Sequence, residues 1–169
     1  VPMGIDLEFA KGEGPIIHNP IRSRADAEAL RPVEPRESLA HVLEAVKIVR
    51  RELDGQTPLI GFAGAPFTLA SYLIEGGSTR NFARTKYLMY NDARTWHLHM
   101  SKLGCVIADY LTAQIQAGAQ VVQLFDSWVG TLGPADYREY VLPHSRFVIE
   151  QVQRAGVPII HFGTDTATL

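Results

Sequence analysis

Three times in this chain a stretch of helical rhythm stops at a glycine and an apolar run begins almost at once. Gly55 precedes the run Thr57 to Phe62, Gly118 precedes Ala119 to Phe125, and Gly156 precedes Val157 to Phe162. Glycine accepts the left-handed backbone on which helices commonly end, so it marks each stop. Apolar runs of this length, set between amphipathic helices, belong to a parallel sheet buried on both faces. The pattern dictates an α/β fold and leaves barrel and open sheet both available.

The helices between these strands are read from spacing. Leu39, Val42, Leu43, Val46, Val49 and Leu53 recur with helical period. Residues 81–90 and 93–117 follow, the second with Trp96, Met100, Leu103, Ile107 and Tyr110 as its stripe. Pro134 opens a further helix that turns Tyr137, Val141, Val148 and Val152 inward and kinks at Pro143. Ahead of them all, Ile5, Leu7 and Phe9 alternate, and Ile16 and Ile17 follow across a Lys11-Gly12-Glu13-Gly14 turn, which predicts a β-hairpin. Ser23 to Leu30 reads as a short helix with a serine cap, and residues 31–35 as a linker. Nothing marks an internal domain boundary, so residues 1–169 are expected to form a single domain.

Composition narrows the function classes. A net charge of −2 argues against a broad nucleic-acid footprint. One cysteine, Cys105, allows no internal disulfide and fits a reducing compartment, so a cytoplasmic location is expected. No apolar run approaches the roughly 18 residues of a membrane span. The chain opens at Val1 and stops at Leu169 soon after an apolar run, which predicts a piece of something longer.

In a parallel α/β fold the C-terminal strand ends converge on one rim, the usual place for ligand contacts. The first end supplies Phe62, with Tyr72 further along the segment Gly61 to Gly77; the second supplies Phe125, Asp126 and Ser127; the third supplies His161, Thr164 and Asp165. A tyrosine hydroxyl stays protonated at neutral pH, so Tyr72 can donate to a ligand carboxylate or orient an acid, or it can be a helix-face tyrosine with a wet hydroxyl. Ser127 can donate to an oxyanion or cap a helix. Asp126 and His161 fit supporting roles, and Glu75 is expected to hold the backbone amides of Gly76 and Gly77. Arg80, Arg84 and Lys86 fit a solvated helix face better than a steering patch for anions. No metal site is expected: His97 and His99 stand roughly 200° apart around a helix, and His18, His41 and His144 are expected to have no ligand-like neighbours. Gly61-x-x-Gly64 lacks the Gly-Lys-Ser/Thr of a phosphate loop.

Two long motifs now carry a resemblance. Gly-Phe-Ala-Gly-Ala-Pro-Phe-Thr-Leu-Ala-Ser-Tyr-Leu-Ile-Glu-Gly-Gly at 61–77 and Gln-Leu-Phe-Asp-Ser-Trp-Val-Gly-Thr-Leu-Gly-Pro at 123–134 resemble the signature segments of the uroporphyrinogen decarboxylases, bacterial in form. Met3-Gly-Ile-Asp-Leu-Glu-Phe9, Lys11-Gly-Glu-Gly-Pro15 and Pro158-Ile-Ile-His-Phe-Gly163 are similar too, so the likeness runs from end to end.

The resemblance implies a (β/α)8 TIM barrel, of which this chain holds a central part: about three parallel strands and the hairpin. It implies a homodimeric carboxy-lyase that needs no cofactor and no metal, and that converts uroporphyrinogen III to coproporphyrinogen III and CO2 through its four acetate side chains. By resemblance Tyr72 is the active-site tyrosine, Ser127 a substrate-contacting serine, and Phe125, with Phe62 beside it, an aromatic packed on the macrocycle. The family's pyrrole-binding aspartate and its arginine-rich loop belong before Val1, and its active-site histidine belongs after Leu169. His161 matches a different position. Two other classes are weighed. Related zinc methyltransferases acting on corrinoid proteins carry a cysteine two residues after the strand histidine, where this chain has Gly163. A non-catalytic tetrapyrrole-binding protein on the same scaffold has less need of both Tyr72 and Ser127.

Overall fold

The computed structural model describes residues 2–10, 14–77, 79–167 and 169. Strands β1 (Leu7–Ala10) and β2 (Gly14–Ile17) pair antiparallel, with Leu7 opposite Ile17. The hairpin is as expected, although residues 11–13 of its expected turn lie outside the described residues. Helix α1 (Arg24–Ala29) begins at Ser23 in a capping box: the Ser23 hydroxyl accepts from the Asp26 amide, and the Asp26 carboxylate accepts from the Ser23 amide. A short α2 (Pro35–Ser38) and α3 (Ala40–Glu52) lead to β3 (Ile60–Gly64). Then come α4 (Pro66–Glu75), α5 (Ala83–Asn91), α6 (Ala93–Ala117) and β4 (Val121–Asp126). A 3-10 turn (Val129–Thr131), α7 (Pro134–Asp136), a π-helical turn (Tyr137–Val141), α8 (Leu142–Gln153) and β5 (Ile159–Gly163) complete the order.

The three long strands form a parallel sheet ordered β3-β4-β5. Each begins later than its apolar run: Ile60 rather than Thr57, Val121 rather than Ala119, and Ile159 rather than Val157. Pro58 and Pro158 explain two of these delays, because proline has no N–H to give a ladder. The lead-in residues bond irregularly, the Gln120 and Val121 amides both donating to the Leu59 carbonyl and the Val122 amide to that of Pro158.

Helix α6 is the spine of the helical layer. Trp96, Met100 and Leu111 are fully buried and Leu103 and Ile107 nearly so, and the helix packs against α3, α4, α8 and β3. Each such side chain removed from water contributes about 1.5–3 kcal/mol. The helix stops at Gly118, whose φ of +123° favours glycine and whose missing Cβ would stand 2.9 Å from Arg50 Cγ. Before α8, the π-helical turn absorbs the expected kink at Pro143, which cannot donate to the carbonyl four residues back.

Two expectations are corrected. The sheet is not buried on both faces: Ala63, Val122 and Leu124 are covered by helices, whereas Ile60, Phe62, Ile160 and Phe162 on the other face are 40–59% exposed. The face opposite the helices has no second layer among the described residues. Along α3, likewise, Leu43 is buried while Val49 is exposed, because α6 covers only one side of that helix. In addition, residues 66–75, read from sequence as part of a turn region, form a helix that Pro66 opens at its first position.

Candidate active site at the strand ends

Parallel pairing puts partners on the same face, so the register Gly64↔Phe125↔Phe162 brings the strand ends level. On the open face Phe125 meets Phe62 edge to face, with ring centroids 5.6 Å apart and planes at 89°. Phe162 meets Phe125 from the other side at 5.7 Å and 68°. These three rings from three strands make an aromatic floor, held in the edge-on geometry that aromatic quadrupoles favour. Phe62 and Phe125 were expected here. Phe162, from sequence only the end of a strand, joins them because the register sets it beside Phe125.

Tyr72 belongs to a second aromatic group. It lies on α4, half-buried, with its ring 4.1 Å from that of Trp128. Trp128 in turn meets Phe82 at 5.0 Å. Phe82 is buried and holds a left-handed backbone (φ 54°), which costs free energy for a bulky residue and persists where packing imposes it. The other side of Tyr72 borders an apolar cleft of about 290 Å³ between α4 and the hairpin, lined by Ile5, Leu7, Ile17, Leu69 and Leu73. Ser127 lies between the two aromatic groups, next to both Asp126 and Trp128, and its carbonyl accepts from the Thr164 hydroxyl. The structure therefore divides the expected residues: Phe62 meets Phe125, whereas Tyr72 packs on Trp128, a partner not expected from the sequence, and the turn that carries Ser127 lies between the two groups.

Behind this rim the polar groups face the helices. Asp126 is fully buried, and its Oδ1 accepts a 3.0 Å hydrogen bond from the Thr68 hydroxyl of α4. His161 Nε2 stands 3.5 Å from Asp126 Oδ2, too far for a well-formed bond. Burial, and secondarily the charge of Asp126, push the hydroxyl of Tyr137 above the ordinary tyrosine pKa. His161 faces this side and not the aromatic floor. Glu75 does not hold Gly76 and Gly77; its Oε1 accepts from both the amide and the hydroxyl of Thr85, at 2.9 Å each. Lys86 donates to the Thr131 carbonyl and Arg84 to the Glu75 carbonyl, so both tie loops together.

His144 does have a histidine neighbour. His97 Nδ1 lies 2.8 Å from His144 Nε2 across α6 and α8, a meeting of residues far apart in the chain. Burial, with His97 beside it, lowers the pKa of His144 to about 4. Among the described residues no three His, Cys, Asp or Glu side chains come together as a metal-ligand group. No helix of the described residues is long and apolar enough to cross a membrane.

A parallel β–α sheet with an aromatic floor at its C-terminal strand ends defines an α/β protein, and the family it matches makes it part of a (β/α)8 barrel. A solved methyltransferase structure from Methanosarcina mazei has the same fold, with a TM-score of 0.76 over 96% of this chain and 47% of its own, at 18% identity. The family model for uroporphyrinogen decarboxylase (URO-D) matches residues 1–169, and the chain belongs to that family. It is 57% identical over 168 residues to the uroporphyrinogen decarboxylase of Sorangium cellulosum and 54% identical over 167 residues to that of Thermus thermophilus. In both cases the match covers 99% of this chain and 48% of the relative, so the chain spans about half the length of the curated relatives it matches.

Proposed function

We propose that this chain forms one wall of the active cleft of a uroporphyrinogen decarboxylase, which takes the four acetate side chains of uroporphyrinogen III to methyl groups with release of CO2. The observation that carries the reading is the family match over the whole chain, supported by the aromatic floor at the strand ends. In the reaction a proton adds to a pyrrole carbon, and the resulting cation accepts the electron pair of the breaking C–CO2 bond. The exocyclic carbon then takes a proton and the ring proton leaves, so one proton is consumed per CO2. The electron sink is the substrate's own ring, and the protein supplies position and charge stabilisation.

Phe125, with Phe62 and Phe162 beside it, presents the ring faces and edges on which the pyrrole rings of the methylene-bridged macrocycle pack; an aromatic face near a cationic pyrrole contributes about 0.5–2 kcal/mol. Tyr72 donates its hydroxyl to the reacting acetate, and Ser127 donates to a second substrate carboxylate. In this reading the chain forms a single incomplete barrel domain, supported by one continuous core from the hairpin to α8. The whole enzyme acts as a cytoplasmic homodimer.

The test is Tyr72→Phe in the polypeptide that carries this segment, with uroporphyrinogen as substrate. Turnover should fall by roughly 10²-fold, the scale of a lost transition-state donor, with the melting temperature unchanged. Unchanged turnover removes Tyr72 from the mechanism. Porphyrinogen binding without any CO2 release from the unaltered protein identifies a non-catalytic binding protein instead.

A further inference from the structure

Val122, Leu124 and Asp126 point to the same side of β4, and all three are fully buried. The first two fill the helix-facing layer with apolar volume; the third, at the strand end, buries a carboxylate. A buried charge is costly without a donor, and volume alone would be met by another aliphatic side chain. The donor is Thr68, 6% exposed, whose hydroxyl lies 3.0 Å from Asp126 Oδ1. Thr68 and Tyr72 are four residues apart on α4 and so share one face. One turn before Thr68's end of the helix, the Ala65 amide donates to the Phe125 carbonyl at 2.8 Å and carries the β3–β4 ladder into the start of α4. One turn after Thr68, Tyr72 rests on Trp128. Three contacts thus bind α4 to Phe125, Asp126 and Trp128, on both sides of Ser127.

We propose that Thr68 and Asp126 are positioning residues: a buried latch that seats α4 on the end of β4 and so sets Tyr72, braced by Trp128, against the strand end carrying Phe125 and Ser127. The inference rests on the role proposed above for Tyr72. The latch is one helical turn, about 5.4 Å, from the tyrosine, so a shift at Thr68 passes to the hydroxyl with little to absorb it. Misplacement by about 1 Å can cost roughly 10²-fold in rate.

The test uses the polypeptide that carries this segment, labelled with 5-fluorotryptophan, with the Trp128 signal assigned through Trp128→Phe. Thr68→Val keeps the shape and removes the donor; Thr68→Ser keeps the donor. The expected result is a fall in kcat of roughly tenfold or more in Thr68→Val with KM within about twofold, a displaced Trp128 fluorine signal, and recovery of both in Thr68→Ser. If Thr68→Val does not fold, Thr68→Cys, with its weaker donor, takes its place. An unmoved Trp128 signal overturns the latch, as do unchanged kcat and failure of Thr68→Ser to recover either property. If the unaltered protein does not turn over uroporphyrinogen, the proposed function fails, and the fluorine signal alone then decides the latch.

Discussion

The two faces of the parallel sheet are built by different rules. On the helix side Val122 and Leu124 are fully buried and Ala63 nearly so, and the layer behind them holds Trp96, Phe67, Met100 and Leu111 without solvent contact. On the other side Phe62, Ile60, Phe162 and Ile160 keep 40–59% of their surface exposed, with Phe125 at their centre. The same backbone ladder carries both, so the difference is one of cover. The helix side spends its apolar residues on folding, whereas the open side keeps them available to the cleft or to other protein. The proposed active-site surface is therefore as apolar as the core and still contributes little to holding this segment together.

The largest expected effect tests the helix side. Leu124→Ala should destabilise the chain by about 2–5 kcal/mol in urea denaturation, because the site is closed on every side and leaves a cavity. Loss of less than about 1 kcal/mol would break the contrast. Next is acid. His99 on α6 is fully buried, neither ring nitrogen has a hydrogen-bond partner, and burial, with Lys102 nearby, lowers its pKa from 6.5 to about 4. Between those values the unfolded chain binds a proton that the folded chain refuses. The contribution is thus complete above pH 6.5 and is lost as pH falls towards 4, by roughly 1–3 kcal/mol for this group. Denaturation midpoints measured across this range should show a limb that His99→Leu flattens; an identical limb in the variant would clear His99. The smallest effect belongs to the open face: Phe62→Ala should shift stability by under about 1 kcal/mol while raising KM for uroporphyrinogen, as a packing surface for substrate would. A stability loss matching that of Leu124→Ala would show that Phe62 is core.

The contrast also explains which features could be read from sequence. Glycine stops and apolar runs located all three parallel strands, and α6 runs from Ala93 to Ala117 as its spacing predicts. Helix α4 escaped because Pro66, Phe67, Thr68, Ala70, Ser71, Leu73 and Ile74 are all buried, leaving no polar stripe to reveal a 3.6-residue period. The open face escaped because an apolar strand reads alike whether one or both of its faces are covered. At the site, strand-end position marked Phe62, Phe125 and Ser127, and the motif marked Tyr72. Trp128, Phe82 and the Thr68–Asp126 bond depend on contacts between distant segments, and the meeting of His97 with His144 does as well. Such partners have no local signature.

One contact at the margin of the sheet has a further consequence. Gln114 of α6 reaches the backbone of Phe62, accepting from its amide and donating to its carbonyl at 3.0 Å each. Gly61 alongside leaves the room: a Cβ there would stand 2.8 Å from Gln114 Oε1. The side-chain amide offers β3 what one residue of another strand would offer, and then nothing more. It acts as punctuation. A segment laid along this margin finds one rung already taken, so it must part from β3 at Phe62 and cannot slide past it in a shifted alignment. The amide that steadies the aromatic floor thereby also limits how another strand can dock there.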